Sequence, residues 1–377
     1  LKGEPIAMTG FFIPVELLVA MDIPHVCAEN NAVFTSQLEM SNVPRLLEIG
    51  EGYGLSSEVC SPHRVAVALA KSKRMPRPSV VVSTSTTCDQ TLKLYEVLAD
   101  LYDVPCYLLD SVYSNDQRSV NYARQDVLGL VDFLEEHTGR KLEMGKLLEA
   151  VKYSKQLYDC WDEICELRKA RPCPVSAREA VKDFTIMLSS SGRIEGVRYF
   201  QTRRDELKAR VDKGQGIGVE EKYRIAWLYV LPMFDMKIAD WLMEQHGAMI
   251  VMDTFGYANP GVVLDTSDPI NFLAKKAIKW GFVCTTYGPN ETTGFTKIMA
   301  SLCKEYAVDA AICYAHWSCN QYCGTIKLLR DEITAITDCE FLILDGDLLD
   351  FRIVSSDQIK ARLNEFMGMI KAKKGMA

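Results

Sequence analysis

Val80-Val81-Val82-Ser83-Thr84-Ser85-Thr86-Thr87-Cys88 runs straight into a helical stretch from Asp89 to Leu101. Three valines in succession suit a strand buried on both faces, where the alternation of a half-exposed strand is lost. A buried strand that hands over at once to a helix is the repeating unit of a parallel α/β sheet. The pattern recurs at Ala310-Ala311-Ile312-Cys313-Tyr314-Ala315-His316-Trp317-Ser318-Cys319, which opens an expected helix from Asn320 to Glu332. Around the first unit lie strand signals at Ile6–Thr9, His25–Ala28 and Pro105–Asp110. Helix signals fall at Pro14–Met21 and Ser61–Ser72. In the second half, strands are expected at Ile225–Val230, Met249–Met252 and Phe341–Leu344. Helices are expected at Met236–Gln245, Pro269–Trp280, Thr292–Tyr306 and Ser355–Lys374.

Between these halves strand signals vanish. Asp126–Glu136, Met144–Arg168 and Ala177–Ser189 are helical by apolar periodicity. Gly214-Gln215-Gly216-Ile217-Gly218 then reads as a flexible joint. The expected organisation is an α/β domain over 1–114, a helical connector over 115–220 and a second α/β domain over 221–377. Each α/β domain should be a doubly wound parallel sheet of the Rossmann or flavodoxin-like kind. Ligands of such sheets bind at the carboxyl ends of the strands. Cys88 and Cys319 lie there, one in each domain, which would put a shared centre in the interdomain cleft.

Composition narrows the function classes. The 377 residues carry 43 basic and 50 acidic side chains, net −7, with no basic run of the kind that binds nucleic acid. No apolar stretch reaches membrane-spanning length, and no secretory signal is visible, so the expected location is cytoplasmic. The thirteen cysteines are irregularly spaced and odd in number, which argues against a paired framework. Reduced thiols, with metal or redox use for a subset, are expected.

Three cysteines share a position that the others lack. Cys60, Cys88 and Cys319 each stand immediately before an expected helix. A thiol there meets unpaired backbone N–H groups and the positive end of the helix dipole. Both favour thiolate, the metal-ligating form. Cys27, Cys106, Cys313 and Cys339 lie in or beside strands and read as buried small hydrophobes. Cys160 and Cys165 are five residues apart on one helix, about 140° around it. Cys323, four residues after Cys319, and Cys284, before Thr285-Thr286-Tyr287, are possible additional ligands. His316 precedes Cys319 by three residues; a strand-end histidine bonded to backbone and a site residue both fit. The spacing contains no CxxC pair, and a structural zinc site is the alternative metal reading.

Longer motifs carry a resemblance. Glu51-Gly52-Tyr53-Gly54-Leu55-Ser56-Ser57-Glu58-Val59-Cys60-Ser61-Pro62-His63-Arg64 and Ser85-Thr86-Thr87-Cys88-Asp89 resemble the first and second cluster motifs of the 2-hydroxyacyl-CoA dehydratase and benzoyl-CoA reductase family. Gly214 to Arg224 resembles its mid-chain signature, and Asp345-Gly346-Asp347 through Arg352, then Ala361 to Phe366, its tail. Cys319 stands where a third cluster cysteine is expected.

The resemblance implies a [4Fe-4S] cluster held by Cys60, Cys88 and Cys319. It also implies a homologous second subunit in a heterodimer, and an ATP-hydrolysing activator iron–sulfur protein that delivers one electron. The implied reaction reduces an acyl-CoA substrate to a ketyl radical. An (R)-2-hydroxyacyl-CoA would then lose water to give a 2-enoyl-CoA; an aryl-CoA would instead undergo ring reduction. A non-catalytic electron-relay or double-cubane protein is the third possibility. Three cysteines leave one iron without a thiolate, so a substrate oxygen could reach it. The cysteine-Ser-x-x-Arg form at Cys60 is similar to the substrate-binding type of subunit. Met233 stands where the family pattern carries an aromatic residue, which leaves the substrate open. Glu58 and His316 are expected to assist proton transfer or departure of the hydroxyl, and Arg64 and Tyr287 to bind substrate.

Overall fold

The computed structural model describes residues 3–86, 88–110, 112, 114, 116–257, 265–284 and 294–375. Its strands are β1 (Ala7–Thr9), β2 (His25–Cys27), β3 (Val80–Thr84), β4 (Cys106–Leu109), β5 (Tyr223–Leu228), β6 (Ala248–Asp253), β7 (Ala310–His316) and β8 (Glu340–Gly346). The first helices are α1 (Val15–Ala20), α2 (Ala28–Leu38), α3 (Val43–Gly52), α4 (Ser61–Lys71), α5 (Asp89–Tyr102), α6 (Gln117–Thr138), α7 (Met144–Leu167) and α8 (Ala177–Ser190). They are followed by α9 (Ile194–Asp212), α10 (Lys237–His246), α11 (Pro269–Cys284), α12 (Phe295–Glu305), α13 (Asn320–Cys323), α14 (Ile326–Ile336) and α15 (Ser356–Lys373).

The chain forms two compact units. The first comprises Leu1–Cys160, Thr185–Gln201 and Pro260–Glu291; the second comprises Trp161–Phe184, Thr202–Asn259 and Thr292–Ala377. The first unit holds a four-stranded sheet in the order β2-β1-β3-β4, parallel throughout. The second holds a four-stranded parallel sheet in the order β6-β5-β7-β8. The α/β class with two doubly wound parallel sheets is therefore as expected. The inner strands β3, β5 and β7, and the edge strand β6, are buried along their whole length. That is why they read as continuous apolar runs. At the edge, β4 exposes Cys106 and Leu108.

In each sheet the second strand is laid on one side of the first and the third on the other. The winding reverses between β1 and β3, and again between β5 and β7. Crevices at such reversals are where open α/β sheets take ligands. Cys88 follows β3 and Cys319 follows β7, so the two cysteines occupy the same place in the winding of their own sheets.

One expectation needs correction. The helix after Cys319 is not continuous: the four-residue α13 ends at Cys323, and α14 begins only at Ile326. Tyr322 is stacked on Tyr229 with ring centroids 3.8 Å apart, and Thr325 Oγ1 donates to Tyr322 O at 2.8 Å. Ring packing and the satisfied carbonyl fix the break. Within the glycine-rich stretch at 214–218, Gly214 and Gly218 have positive φ and open space around them, whereas Gly216 is packed. A Cβ at Gly216 would meet Pro172 Cβ at 2.8 Å. Just beyond, Glu221 accepts from the Cys173 N–H at 2.6 Å and pairs with Arg224. Arg224 is 1% exposed and donates to the carbonyls of Lys169, Ala170 and Tyr306 at 3.2, 3.1 and 2.7 Å. These bonds satisfy carbonyls just beyond the end of α7 and at the end of α12.

In the first unit, Val120 and Ala123 of α6 pack on Ala274 and Ile278 of α11, with Val112 against them. The same helix α11 carries Lys276 into the interior. Lys276 and Glu16 of α1 are both 0% exposed, and Lys276 Nζ bonds both carboxylate oxygens at 2.5 and 2.6 Å. Ser154 Oγ donates to the same carboxylate at 2.6 Å. Burial lowers the pKa of Lys276, and Glu16 opposes that shift. Removing one partner leaves a buried charge unpaired. Lys276→Met alone should destabilise the chain by about 3–5 kcal/mol in chemical denaturation, and adding Glu16→Gln should recover most of the loss.

Candidate metal centre

The first unit builds two of the three expected ligand positions next to each other. Cys60 is the N-cap of α4 and Cys88 the N-cap of α5. Pro62 sits in the first turn of α4, where a missing N–H is tolerated. The Cys60 carbonyl accepts the first helical bonds, from His63 and Arg64 at 2.9 and 3.1 Å. The Cys60 N–H donates to Gln90 Oε1 at 2.8 Å. Since Gln90 is the second residue of α5, this bond staples the Cys60 turn to the helix that Cys88 opens. Cys88 Sγ lies 3.3 Å from Thr91 Oγ1. The turn from β3 is held by Thr84 Oγ1, which is 2.9 Å from Thr86 Oγ1 and accepts from the Thr86 N–H at 3.2 Å.

Arg64 is 0% exposed. Its Nε donates to Val59 O at 2.9 Å, and its Nη1 pairs with Glu51. The side chain expected to meet substrate thus fastens the Cys60 turn to the end of α3. Gly50 shows how close the two helices lie, since a Cβ there would come within 2.4 Å of Arg64 O. Glu58 is exposed, with its backbone N–H bonded to Ser56 Oγ at 3.2 Å. Tyr287 lies outside the described residues, as does the side chain of Cys284.

In the second unit, Cys319 is the N-cap of α13. Its N–H donates to His316 O at 2.8 Å, and its carbonyl accepts from the Cys323 N–H at 2.9 Å. The Cys323 thiol donates to His316 O at 3.3 Å, and burial raises its pKa. His316 is 1% exposed, with Nδ1 accepting from the Leu348 N–H at 3.2 Å and lying 3.5 Å from Asp347 Oδ2. The neutral ring then carries its proton on Nε2. Asp347, 0% exposed, also accepts from the N–H groups of Leu349 and Asp350 at 2.9 and 2.8 Å and from Ser318 Oγ at 3.2 Å. Sequence reasoning missed its role, although Asp345-Gly346-Asp347 is one of the family-like runs.

Among the described residues, no three or more His, Cys, Asp or Glu side chains are grouped as ligands of one metal ion. The chemistry of the individual donors nevertheless suits thiolate ligation. No disulfide occurs among the described cysteines. Burial pushes the thiol of Cys313 up to about 12, whereas Cys106, expected to be a buried small hydrophobe, is exposed because it lies on an edge strand. Burial also raises Cys27, Cys165, Cys173, Cys303 and Cys339. Those groups keep their protons. Cys60, Cys88 and Cys319 are half-buried at helix starts, where a thiolate meets N–H donors. The one-turn α13 offers Cys319 a weaker dipole than α4 and α5 offer the other two.

No helix among the described residues is long and apolar enough to cross a membrane. Comparison with known proteins matches residues 11–370 to the family described as 2-hydroxyglutaryl-CoA dehydratase, D-component. The chain is 23% identical to the (R)-phenyllactyl-CoA dehydratase alpha subunit of Clostridium sporogenes, over 99% of this chain and 91% of that one. It is 24% identical to one of the subunits of the benzoyl-CoA reductase of Thauera aromatica, over 100% and 91% of the two chains. It is 22% identical to the (R)-2-hydroxyisocaproyl-CoA dehydratase alpha subunit of Clostridioides difficile, over 99% and 92%. These relatives are enzyme subunits, and with nearly its whole length matched, the chain belongs to the 2-hydroxyglutaryl-CoA dehydratase D-component family.

Proposed function

We propose that this chain is the iron–sulfur subunit of an (R)-2-hydroxyacyl-CoA dehydratase, with Cys60, Cys88 and Cys319 as ligands of a [4Fe-4S] cluster. The observation that carries the reading is the placement of these half-buried thiols at helix N-caps, while burial holds most of the other thiols protonated. When bound, the cluster would supply one-electron chemistry and, at the iron without a cysteine, a Lewis acid for a substrate oxygen. The protein's own part is positional. Gln90 and Arg64 hold the Cys60 turn, Thr91 lies beside Cys88 Sγ, and His316 with Asp347 holds the turn before Cys319. Glu58, exposed next to Cys60, would exchange a proton with substrate in this reading. In this reading a homologous second subunit completes a heterodimer, and a separate ATP-hydrolysing iron–sulfur activator delivers the electron that starts radical elimination of water.

The likeness to the Thauera aromatica benzoyl-CoA reductase, at 24% over the whole chain, supports a second reading, an ATP-dependent aryl-CoA reductase subunit. Anaerobic turnover with partner and activator separates the two. Loss of water from a 2-hydroxyacyl-CoA supports the first reading. Ring reduction of an aryl-CoA, with no dehydration, replaces it by the second.

Ligation is tested one thiol at a time. Cys60→Ala, Cys88→Ala and Cys319→Ala should each lose most of the iron and acid-labile sulfide, measured after anaerobic purification. Cys160→Ala and Cys165→Ala should keep both. A Cys88→Ala protein with wild-type iron content overturns the ligand assignment. Assembly is tested by co-expression with the partner subunit: anaerobic sedimentation should show a heterodimer, and a fully active monomer contradicts the reading.

A further inference from the structure

The second sheet carries a strained residue that the proposed chemistry does not use. Tyr229 directly follows β5 and has a φ of +71°, in the left-handed region. Glycine adopts that conformation freely, whereas a residue with a Cβ adopts it at a cost. Such a conformation persists only where its surroundings over-determine it. Here they do. The Tyr229 N–H donates to Thr254 Oγ1 at 2.7 Å, and Thr254, just after β6, is 8% exposed. The wholly buried Trp227 donates through Nε1 to Val230 O at 2.8 Å. The turn is tied at Tyr229 itself and at the residue after it.

The conformation presents a ring that glycine could not supply. Tyr229 is half-buried, and its ring is stacked on Tyr322, with centroids 3.8 Å apart and planes at 13°. Phe295, at the start of α12, meets Tyr322 edge-on with centroids 5.8 Å apart. Tyr322 is the buried residue of α13. That helix is a single turn, closed by the Cys323 N–H on Cys319 O at 2.9 Å and the Gly324 N–H on Asn320 O at 3.0 Å. One turn does not sustain itself in water, because fixing its backbone costs more than so few hydrogen bonds offset. Tertiary contacts must hold it. His316 O ties α13 to β7, through the Cys319 N–H and the Cys323 thiol. The ring stack ties it to β5. The strands are parallel, so Thr254, Tyr229 and Tyr322 follow neighbouring strands at one edge of the sheet. The stack therefore joins the tips of β5 and β7, the two strands between which the winding reverses.

We propose that Tyr229 is a positioning residue: its ring clamps Tyr322, and through Tyr322 it holds α13 and the Cys319 thiol in place at the switch point of the second sheet. The clamp on α13 stands on its own. Its consequence for a cluster rests on Cys319 being a ligand, as proposed above.

The clamp is tested on the full-length, cluster-free chain by residue-resolved amide hydrogen exchange. Tyr229→Gly frees the backbone and removes the ring. The amides of Cys323 and Gly324 should then exchange roughly two- to tenfold faster than in wild type, the range that loss of one aromatic pair implies. Tyr229→Asn, which tolerates the left-handed backbone but lacks the ring, should match it. Tyr229→Phe keeps the ring and should exchange as wild type does. In all three the amides of α15, in the same unit, should keep their wild-type rates. Unchanged exchange at Cys323 and Gly324 in both Tyr229→Gly and Tyr229→Asn overturns the proposal. So does an equal acceleration throughout α15, which would make Tyr229 a residue of general stability only.

The consequence for the cluster is tested on anaerobically loaded protein by the rate of iron release to a chelator. Tyr229→Gly should release iron faster than wild type, and Tyr229→Phe at the wild-type rate. Unchanged release in Tyr229→Gly overturns the role assigned to Tyr229 at the cluster. Wild-type iron content in Cys319→Ala overturns that role together with the ligand assignment, while the clamp on α13 is still decided by amide exchange.

Discussion

A parallel sheet forces every strand to end at the same edge, and a helix must begin soon after each one. That edge therefore collects helix N-termini with unsatisfied N–H groups. The rest of this structure follows from how the sequence fills the third of those turns in each sheet. After β3 the chain passes Thr84 and Thr86, whose hydroxyls satisfy one another and the local backbone, and reaches Cys88 at the helix start. After β7 it passes His316 and Ser318, both directed to Asp347, and reaches Cys319. The turns differ in chemistry but solve the same accounting problem. Buried polar backbone has to be paired before a thiol can be presented beyond it.

Buried cations do much of that pairing. Arg64 is spent on Val59 O and Glu51, Arg224 on carbonyls just beyond α7, and Lys276 on Glu16. Each is nearly or wholly shielded from solvent. A charge in such a place is tolerated only where its hydrogen bonds are met by fixed partners. Arg224 and Lys276 therefore fasten segments far apart in sequence, and Arg64 fastens a turn to the helix just before it. This explains why the runs that look like family signatures are long. The run Glu51 to Arg64 contains one candidate ligand and also the two ends of the ion pair that fixes its turn.

The strands were legible because burial on both faces leaves a strong mark: β3 and β7 are nearly uninterrupted β-branched or apolar runs. The special place of Cys60, Cys88 and Cys319 was legible for the same reason, as each follows a recognisable boundary. Three helices left little trace. In α2, Glu29, Asn30 and Asn31 interrupt the apolar stripe, and Glu29 is buried nonetheless. In α9, charged residues crowd Gln201 to Asp212. α3 begins at Val43-Pro44 with no side-chain cap bond. Of the glycines at 214, 216 and 218, Gly216 packs on Pro172 while the other two meet open space, a difference the sequence does not show. The break after Cys323 depends on Tyr322 meeting Tyr229, a contact across more than ninety residues. Asp347 draws its role from burial and from the hydrogen bonds it accepts from Ser318, Leu349 and Asp350, which no local pattern records.

The polar residues near the candidate ligands in the first unit fall into two sets. Arg64 and Thr91 are buried, and their bonds go to Val59 O, Glu51 and Cys88 Sγ. Glu58 is exposed beside the same turn. Substitutions in the buried set act on where a thiol sits and which hydrogen bonds it receives. Those in the exposed set act on what approaches it. Under the proposed reading the buried set governs cluster binding and potential, whichever acyl group is bound. Choice between a 2-hydroxyacyl and an aryl thioester must then arise outside it. A scaffold that separates ligand placement from substrate contact in this way can serve relatives as different in name as a phenyllactyl-CoA dehydratase and a benzoyl-CoA reductase.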